Sequence, residues 1–236
     1  MQKILGYMRK AINNYSMISD GDKIGVGISG GKDSLILLLG LIRLKKFINI
    51  NFEIVGLTAD LMFDNKPTDF IEIKKICDEN NIKYVIEKTN IGPIIFDIRQ
   101  EKNPCSLCSR MRRGVLHDLA KREGCNKIAL GHNSDDWLET FLMNLFNEGR
   151  IGTFLPVTYL SIKDIYMIRP LILTPENIIK NTANKLNIPI VKSRCPADGH
   201  SKREWTKNYL LKLEKDIPDF KKKLMSAVVN FYKSKK

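Results

Sequence analysis

The sequence predicts an α/β fold: a parallel β-sheet with helices on both faces and a small helical extension at its C-terminal end. Three observations predict it. Short apolar runs bounded by turn residues alternate with longer helical patterns across residues 20–186. The first of these runs leads directly into a glycine-rich loop and then a helix. The 236 residues are 43% hydrophobic, enough for one large domain with a sizeable core.

The elements follow in order. Residues 1–20 read as a helix whose polar face carries Lys3, Arg9 and Lys10. Asp20-Gly21-Asp22 is a turn. Residues 23–28 are a short apolar run that suits a buried parallel strand. Residues 33–47 form a helix dense in leucine and isoleucine. Strands are expected at 52–59, 82–87 and 127–130, and helices at 68–80, 106–123 and 135–146. A further strand at 165–168 precedes a helix at 175–186, which opens on a proline favourable in a first turn. Residues 188–191 read as one more short strand. From residue 201 the chain is helical and basic, broken at Ile217-Pro218, with a frayed tail over 233–236. We therefore divide it into a domain of residues 1–200, including the N-terminal helix, and a basic extension of residues 201–236.

Composition narrows the function. The chain carries 39 basic and 26 acidic residues, a net charge of +13. Such an excess speaks of partners rather than fold, and phosphate backbones are the obvious class. A lysine-rich proteome would give the same excess, so charge alone does not decide. The composition excludes a disordered or low-complexity chain. The first residues lack the long apolar core of a signal peptide, and the longest apolar run, 35–42, is too short to cross a bilayer. The expectation is a cytoplasmic protein, with no membrane partner, whose five cysteines stay reduced.

The chemistry starts at Ser29-Gly30-Gly31-Lys32-Asp33-Ser34, between a strand and a helix. Two glycines allow a tight turn and close approach to an anion. The amides at the helix start favour negative charge. Lys32 adds a cation, and Ser29 and Ser34 add hydroxyl donors. The spacing is not that of the Walker loop, nor of the dinucleotide fingerprint. The bland alternative is a glycine turn capped by Asp33 or Ser34. A second segment, Gly131-His132-Asn133-Ser134-Asp135-Asp136, also follows a strand. Its two acids suit a helix start whatever else they do.

Cys105-Ser-Leu-Cys108 precedes a basic stretch containing Arg110, Arg112 and Arg113. Such a pair serves zinc, an iron–sulfur cluster or redox exchange. Zinc wants a second close pair, which this chain lacks. Cys195 lies in a polar loop, and with Cys105 and Cys108 it would leave one metal position open. Cys77 and Cys125 read as structural, and Arg110 as part of a solvated face. Lys202, Arg203 and Lys207 follow Cys195 with Trp205 among them. Basic residues with an aromatic suit a nucleic-acid backbone and a stacked base, although core packing is the first expectation for Trp205.

The loop 29–34 resembles, at all six positions, the Ser-Gly-Gly-Lys-Asp-Ser motif of N-type ATP pyrophosphatases, whose fold is the adenine nucleotide alpha hydrolase form of the Rossmann-like sheet. The stretches 105–114, 131–136 and 168–171 are similar to those of tRNA 2-thiocytidine synthetases. The resemblance covers roughly residues 20–200. It implies cleavage of ATP between the α and β phosphates, adenylation of C2 of a tRNA cytidine, and replacement of its oxygen by sulfur. It implies ATP at Ser29 to Ser34 with Gly131 and His132, Mg2+ at Asp33 and Asp135, and a 4Fe–4S cluster on Cys105, Cys108 and Cys195. Asp135 and Arg112 complete the catalytic set with the three cysteines. Arg113, Lys202, Arg203 and Lys207 are the candidate RNA contacts. The implied partners are tRNA, a sulfur donor (a cysteine desulfurase or sulfide) and, by analogy, a second copy of the chain. The sequence around Cys195 departs from the familiar form of those enzymes. Thiouridine synthesis and lysidine synthesis use the same loop and remain open, as does a non-enzymatic nucleotide-binding module.

Overall fold

The computed structural model describes residues 1–197 and 202–233. Six strands form one sheet: β1 (Asp22–Gly27), β2 (Phe52–Asp60), β3 (Lys83–Lys88), β4 (Lys127–Ala129), β5 (Val157–Leu160) and β6 (Ile165–Ile168). Their spatial order is β3-β2-β1-β4-β6-β5. All neighbours pair in parallel except β5, which returns antiparallel on β6 as an edge hairpin. The expected parallel sheet is present, with one antiparallel strand added at this edge. The turn of the hairpin uses Asp164 at φ 46° and holds no glycine, so the usual punctuation of a hairpin is absent.

The helices are α1 (Gln2–Asn14), α2 (Lys32–Leu44), α3 (Ile71–Glu79), the short turn α4 (Ile91–Pro93) running on into a π-helical turn (Ile94–Ile98), α5 (Pro104–Arg122), α6 (Ser134–Glu148), α7 (Glu176–Lys185), α8 (Lys202–Asp216) and α9 (Phe220–Lys233). Helix α2 buries Leu35, Ile36, Leu37, Leu38 and Leu41 completely, because the sheet covers one side and α1 and α7 cover the others. On that face they join Ile24, Val26, Ile4, Met8 and Ile179 in the larger core. Helix α5 covers the opposite face, where Leu116 and Leu119 pack on Val55, Leu57, Ile128 and Met167. The helices therefore do lie on both faces. Helices α8 and α9 pack against α6.

Residues 188–191 do not join the sheet. Pro189 offers no N–H to a ladder, and the segment lies instead against the loop after β1, where Val191 N–H donates to Gly30 O at 3.0 Å. Of the expected frayed tail, residues 234–236 lie outside the described residues, as do 198–201. Among the described residues no helix is long and apolar enough to cross a membrane.

The strand order reverses between β1 and β4: the chain runs outward from β1 to β3, then returns to the other side of β1. Ligands of open α/β sheets bind beyond the strand ends at such a point.

Candidate active site at the sheet switch point

The loop 29–34 leaves β1 on one side of the switch point. Ser34 Oγ donates to Gly31 O at 2.9 Å and accepts Ser29 N–H at 3.2 Å, which folds the loop back on the helix start. Gly31 is the N-cap of α2, and no side chain caps that end. The first-turn amides and the positive end of the helix therefore face outward as an anion cradle. Gly30 sits at φ +83°, and a Cβ there would come within 2.8 Å of Val191 Cβ. Lys32 Nζ lies 2.9 Å from both Asp33 Oδ2 and Glu176 Oε1. Burial works against its charge, but the two carboxylates more than offset that and hold it above the ordinary lysine range.

The segment 131–136 leaves β4 on the other side. A Cβ on Gly131 would stand 3.0 Å from Asp33 C and Ser34 N, so only glycine lets the strand end pass this close to the loop. Asn133 caps α6: its Oδ1 accepts the amides of Asp135 and Asp136, and Asp136 Oδ2 accepts Asn133 N–H in return. Its Nδ2 reaches across to Asp33 Oδ1 at 3.2 Å. Asp135 turns elsewhere. Its Oδ2 accepts the amide of Glu176 at 2.8 Å and its Oδ1 takes Lys221 of α9 at 2.7 Å. The structure thus gives Asp33 and Asp135 different partners rather than a shared point.

Three cysteines from distant parts of the chain act on one another electrostatically. The helix α5 starts at Pro104, two residues earlier than expected, so Cys105 and Cys108 lie in its first turns, three apart on one face. Cys105 is exposed, and Cys108 and Cys195 are half-exposed. Burial pushes the Cys108 thiol up, Arg112 pulls it down, and Cys195 and Cys105 push it up again, which places all three sulfurs in one electrostatic neighbourhood. Two fastenings carry Cys195 there: the Val191–Gly30 bond, and Arg194 Nη2 donating to Lys66 O at 2.7 Å and Thr68 Oγ1 at 3.2 Å. Thr68 in turn donates to Asp60, buried at the end of β2. Among the described residues no three Cys, His, Asp or Glu side chains close on a single ion. A 4Fe–4S cluster takes its thiolates on separate irons, and three cysteines are a donor set of the kind it uses. Cys77 and Cys125 are buried and pushed up to about 11 by burial, as packing residues should be.

A model of the PP-loop domain matches residues 3–214. The chain belongs to the PP-loop family. Its curated relatives include the tRNA-cytidine(32) 2-sulfurtransferase of Citrifermentans bemidjiense, 35% identical over 98% of this chain and 91% of the relative. That of Dichelobacter nodosus is 40% identical over 89% of this chain and 78% of the relative. A solved structure, the U34-tRNA thiolase NcsA from Methanococcus maripaludis with its 4Fe–4S cluster, superposes with a TM-score of 0.79 at 27% identity, over 98% of this chain and 78% of that one. The resemblance read from residues 29–34 and 105–114 is borne out by these relatives.

Around this PP-loop the basic residues divide into two groups. Arg112, Arg113 and Lys202 are exposed, as is Arg110. Arg203 and Lys207 are committed internally: Arg203 Nη1 meets Asp136 Oδ1 at 3.0 Å, and Lys207 Nζ meets Glu176 Oε2 at 2.8 Å. They pin α8 over the PP-loop rather than waiting free for RNA. Trp205 reverses its expectation, for it is 59% exposed and stacks on Tyr209 at 5.4 Å instead of entering the core. His132 is half-buried against Phe154. Sequence reasoning missed Glu176, the shared counter-ion of Lys32 and Lys207. Its only local signal was an acid after Pro175, which reads equally as a helix start. It also missed Lys221, Arg194 and Arg169, whose partners are remote in sequence.

Proposed function

We propose that this protein is an ATP-dependent tRNA sulfurtransferase acting at C2 of a cytidine, as its relatives are named. The observation that carries the proposal is that Cys195 and Cys105 both act electrostatically on Cys108, while Cys195 follows by four residues the bond between Val191 and Gly30 of the loop. The cytidine O2 attacks the α-phosphorus of ATP, forming a C2–O–AMP bond while pyrophosphate leaves. Ser29, Gly30, Gly31, Lys32 and Ser34 stabilise the charge that grows on that leaving group. Sulfide then adds at C2 and AMP departs with the oxygen, leaving a C2=S bond with no net redox change. Cys105, Cys108 and Cys195 would hold a 4Fe–4S cluster, which would supply a place to carry the sulfide. Arg112, beside Cys108, serves as the cation nearest the activated oxygen.

The finer parts belong to the same proposal. Gly131 and His132 line the nucleotide site. Asp33 would hold Mg2+, which would neutralise charge on the phosphates, and Asp135 acts by fixing α7 and α9. Arg113 and Lys202 face the RNA. Arg203 and Lys207 act by seating the 201–236 extension on the 1–200 domain. The sulfur comes from a cysteine desulfurase or free sulfide, and the enzyme works in the cytoplasm as a homodimer. Thiouridine or lysidine synthesis is not favoured: the relatives are named for cytidine 32, and lysine attack needs no sulfur carrier.

The test is anaerobic purification with absorption spectroscopy and iron assay, joined to nucleoside mass spectrometry of tRNA from a deletion strain. The expected results are a brown, iron-containing protein and loss of 2-thiocytidine, restored by the wild-type gene and not by Cys105→Ala. A colourless, iron-free protein whose Cys105→Ala form still thiolates would overturn the proposal.

A further inference from the structure

The positive fields of Arg112 and Arg113 in α5, Arg203 in α8 and Arg169 just beyond β6 all act on His132. Arg169 touches it directly, Nε donating to His132 Nδ1 at 3.3 Å. Phe154 walls the imidazole at a ring separation of 4.9 Å, and the guanidinium of Arg169 lies 4.7 Å from the centre of the same ring.

Arg169 is unusual for a buried charge. It is 6% exposed, yet its hydrogen-bond partners among the described residues are all neutral: Leu155 O, Thr158 Oγ1, Met167 Sδ and His132 Nδ1. The other deeply buried cation, Lys127, has Asp22 at 2.7 Å. A buried charge without an opposite charge is costly. The fold thus keeps positive potential beside His132 that the described residues do not neutralise by a direct pair. The hydrogen bond also fixes the ring. Because Nδ1 accepts, the proton of the neutral imidazole stands on Nε2. Burial, followed by Arg169, Arg203, Arg112 and Arg113, pushes its pKa down to about 3. The ring therefore stays neutral through the physiological range.

We propose that Arg169 is a positioning residue that locks His132 as a neutral Nε2–H donor, and that this N–H, in the positive field of the unpaired Arg169 guanidinium, offers a site for a phosphate oxygen. The site rests on the function proposed above, in which ATP and RNA both enter here. Two sources carry the same chemistry: the α-phosphate of ATP and a phosphodiester of the tRNA. An imidazole N–H can donate to a phosphate oxygen of either.

The chain has three histidines, so its imidazoles resolve by 15N-histidine NMR of the full-length protein, with His132→Gln assigning one signal. The expected His132 signal is that of an Nε2-protonated neutral ring from pH 5 to 8. A ring titrating near its ordinary value, or protonated on Nδ1, overturns the proposal. A non-hydrolysable ATP analogue and an anticodon stem-loop RNA are then added separately. A shift of the Nε2 proton with the analogue assigns the α-phosphate; a shift with RNA alone assigns the phosphodiester; no shift with either overturns the site. Arg169→Met removes the donor that fixes Nδ1 as the acceptor, so in the variant the neutral ring should exchange between its Nδ1–H and Nε2–H forms, read as averaged 15N shifts, while the wild type holds Nε2–H; a variant ring still wholly Nε2–H overturns the positioning role. The NMR arms read the imidazole, not the thiolated product. A failure of the sulfurtransferase reading is therefore seen separately, as tRNA without 2-thiocytidine.

Discussion

Gly30 meets two demands that no other residue satisfies. It holds φ +83°, and it leaves room for Val191, which a Cβ would approach to 2.8 Å. Gly30→Ala therefore strains the backbone and pushes away the segment that carries Cys195. The expected outcome is loss of ATP-dependent pyrophosphate release together with faster proteolysis at residues 188–197. Cleavage as slow as in wild type would show that this segment does not depend on the loop. Glu139 makes a separate, pH-dependent prediction. It is 4% exposed, and its carboxyl is pushed up to about 7 from 4.5, first by burial and then by Asp136, against the pull of Arg203. The folded state thus retains a proton that the unfolded chain gives up as pH rises from about 4.5 to 7. That costs stability progressively across the window, and the cost is absent below it. Glu139→Gln should stabilise by at most about 3 kcal/mol above pH 7 and by nothing below about pH 4.5, read from urea unfolding at the two ends.

At the scale of elements, the N-terminus of α6 does two jobs. Asn133 caps the helix and steadies Asp33 across the switch point. Asn133→Ala should cost about 1 kcal/mol of stability and also raise the KM for ATP, separating it from a cap with no second partner. Asp135 and Asp136 were legible in the sequence as helix-start acids, because a carboxylate in a first turn is a local signal. That Asp135 would grip Lys221 was not legible, since nothing local ties residues 86 apart. The same divide runs through the fold. Strands β1, β2, β3, β4 and β6 announced themselves as apolar runs between turn residues. Strand β5 did not, because Pro156 precedes it and its turn holds no glycine. Residues 188–191 imitated a strand by composition, and Pro189 spoiled it. The six loop residues were fully legible because their chemistry is contiguous. The cysteine trio was legible only as types, and the Val191 and Arg194 fastenings that bring Cys195 in could be seen only once the chain was folded. Trp205 misled, since an aromatic among basic residues carries no local sign of which way its helix face turns.

For the whole molecule, the question is where the positive charge resides. Arg203, Lys207 and Lys221 are occupied with Asp136, Glu176 and Asp135, so the most basic part of the sequence is partly spent on holding α8 and α9 down. Internal pairing cannot absorb the rest, because the cations outnumber the acids by 13 whatever the fold does. That surplus must be screened by counterions or by a polyanion, and a tRNA that displaces those ions binds with a steep salt dependence. With six or more phosphate contacts, affinity for tRNA should fall on the order of 10³-fold between 50 and 200 mM salt, measured by filter binding. ATP meets the compact cradle of 29–34 rather than the whole surface, so its KM should change far less over the same range. If tRNA affinity were as flat as that for ATP, the surplus charge would be a compositional habit of the chain and the substrate would be held by local contacts alone. Lys207→Met adds a distinguishing arm. A side chain bound to Glu176 contributes little to phosphate contact, so the variant should leave the salt slope for tRNA unchanged while loosening α8, seen as faster amide exchange across 202–216. A slope reduced by about one unit would instead place Lys207 on the RNA.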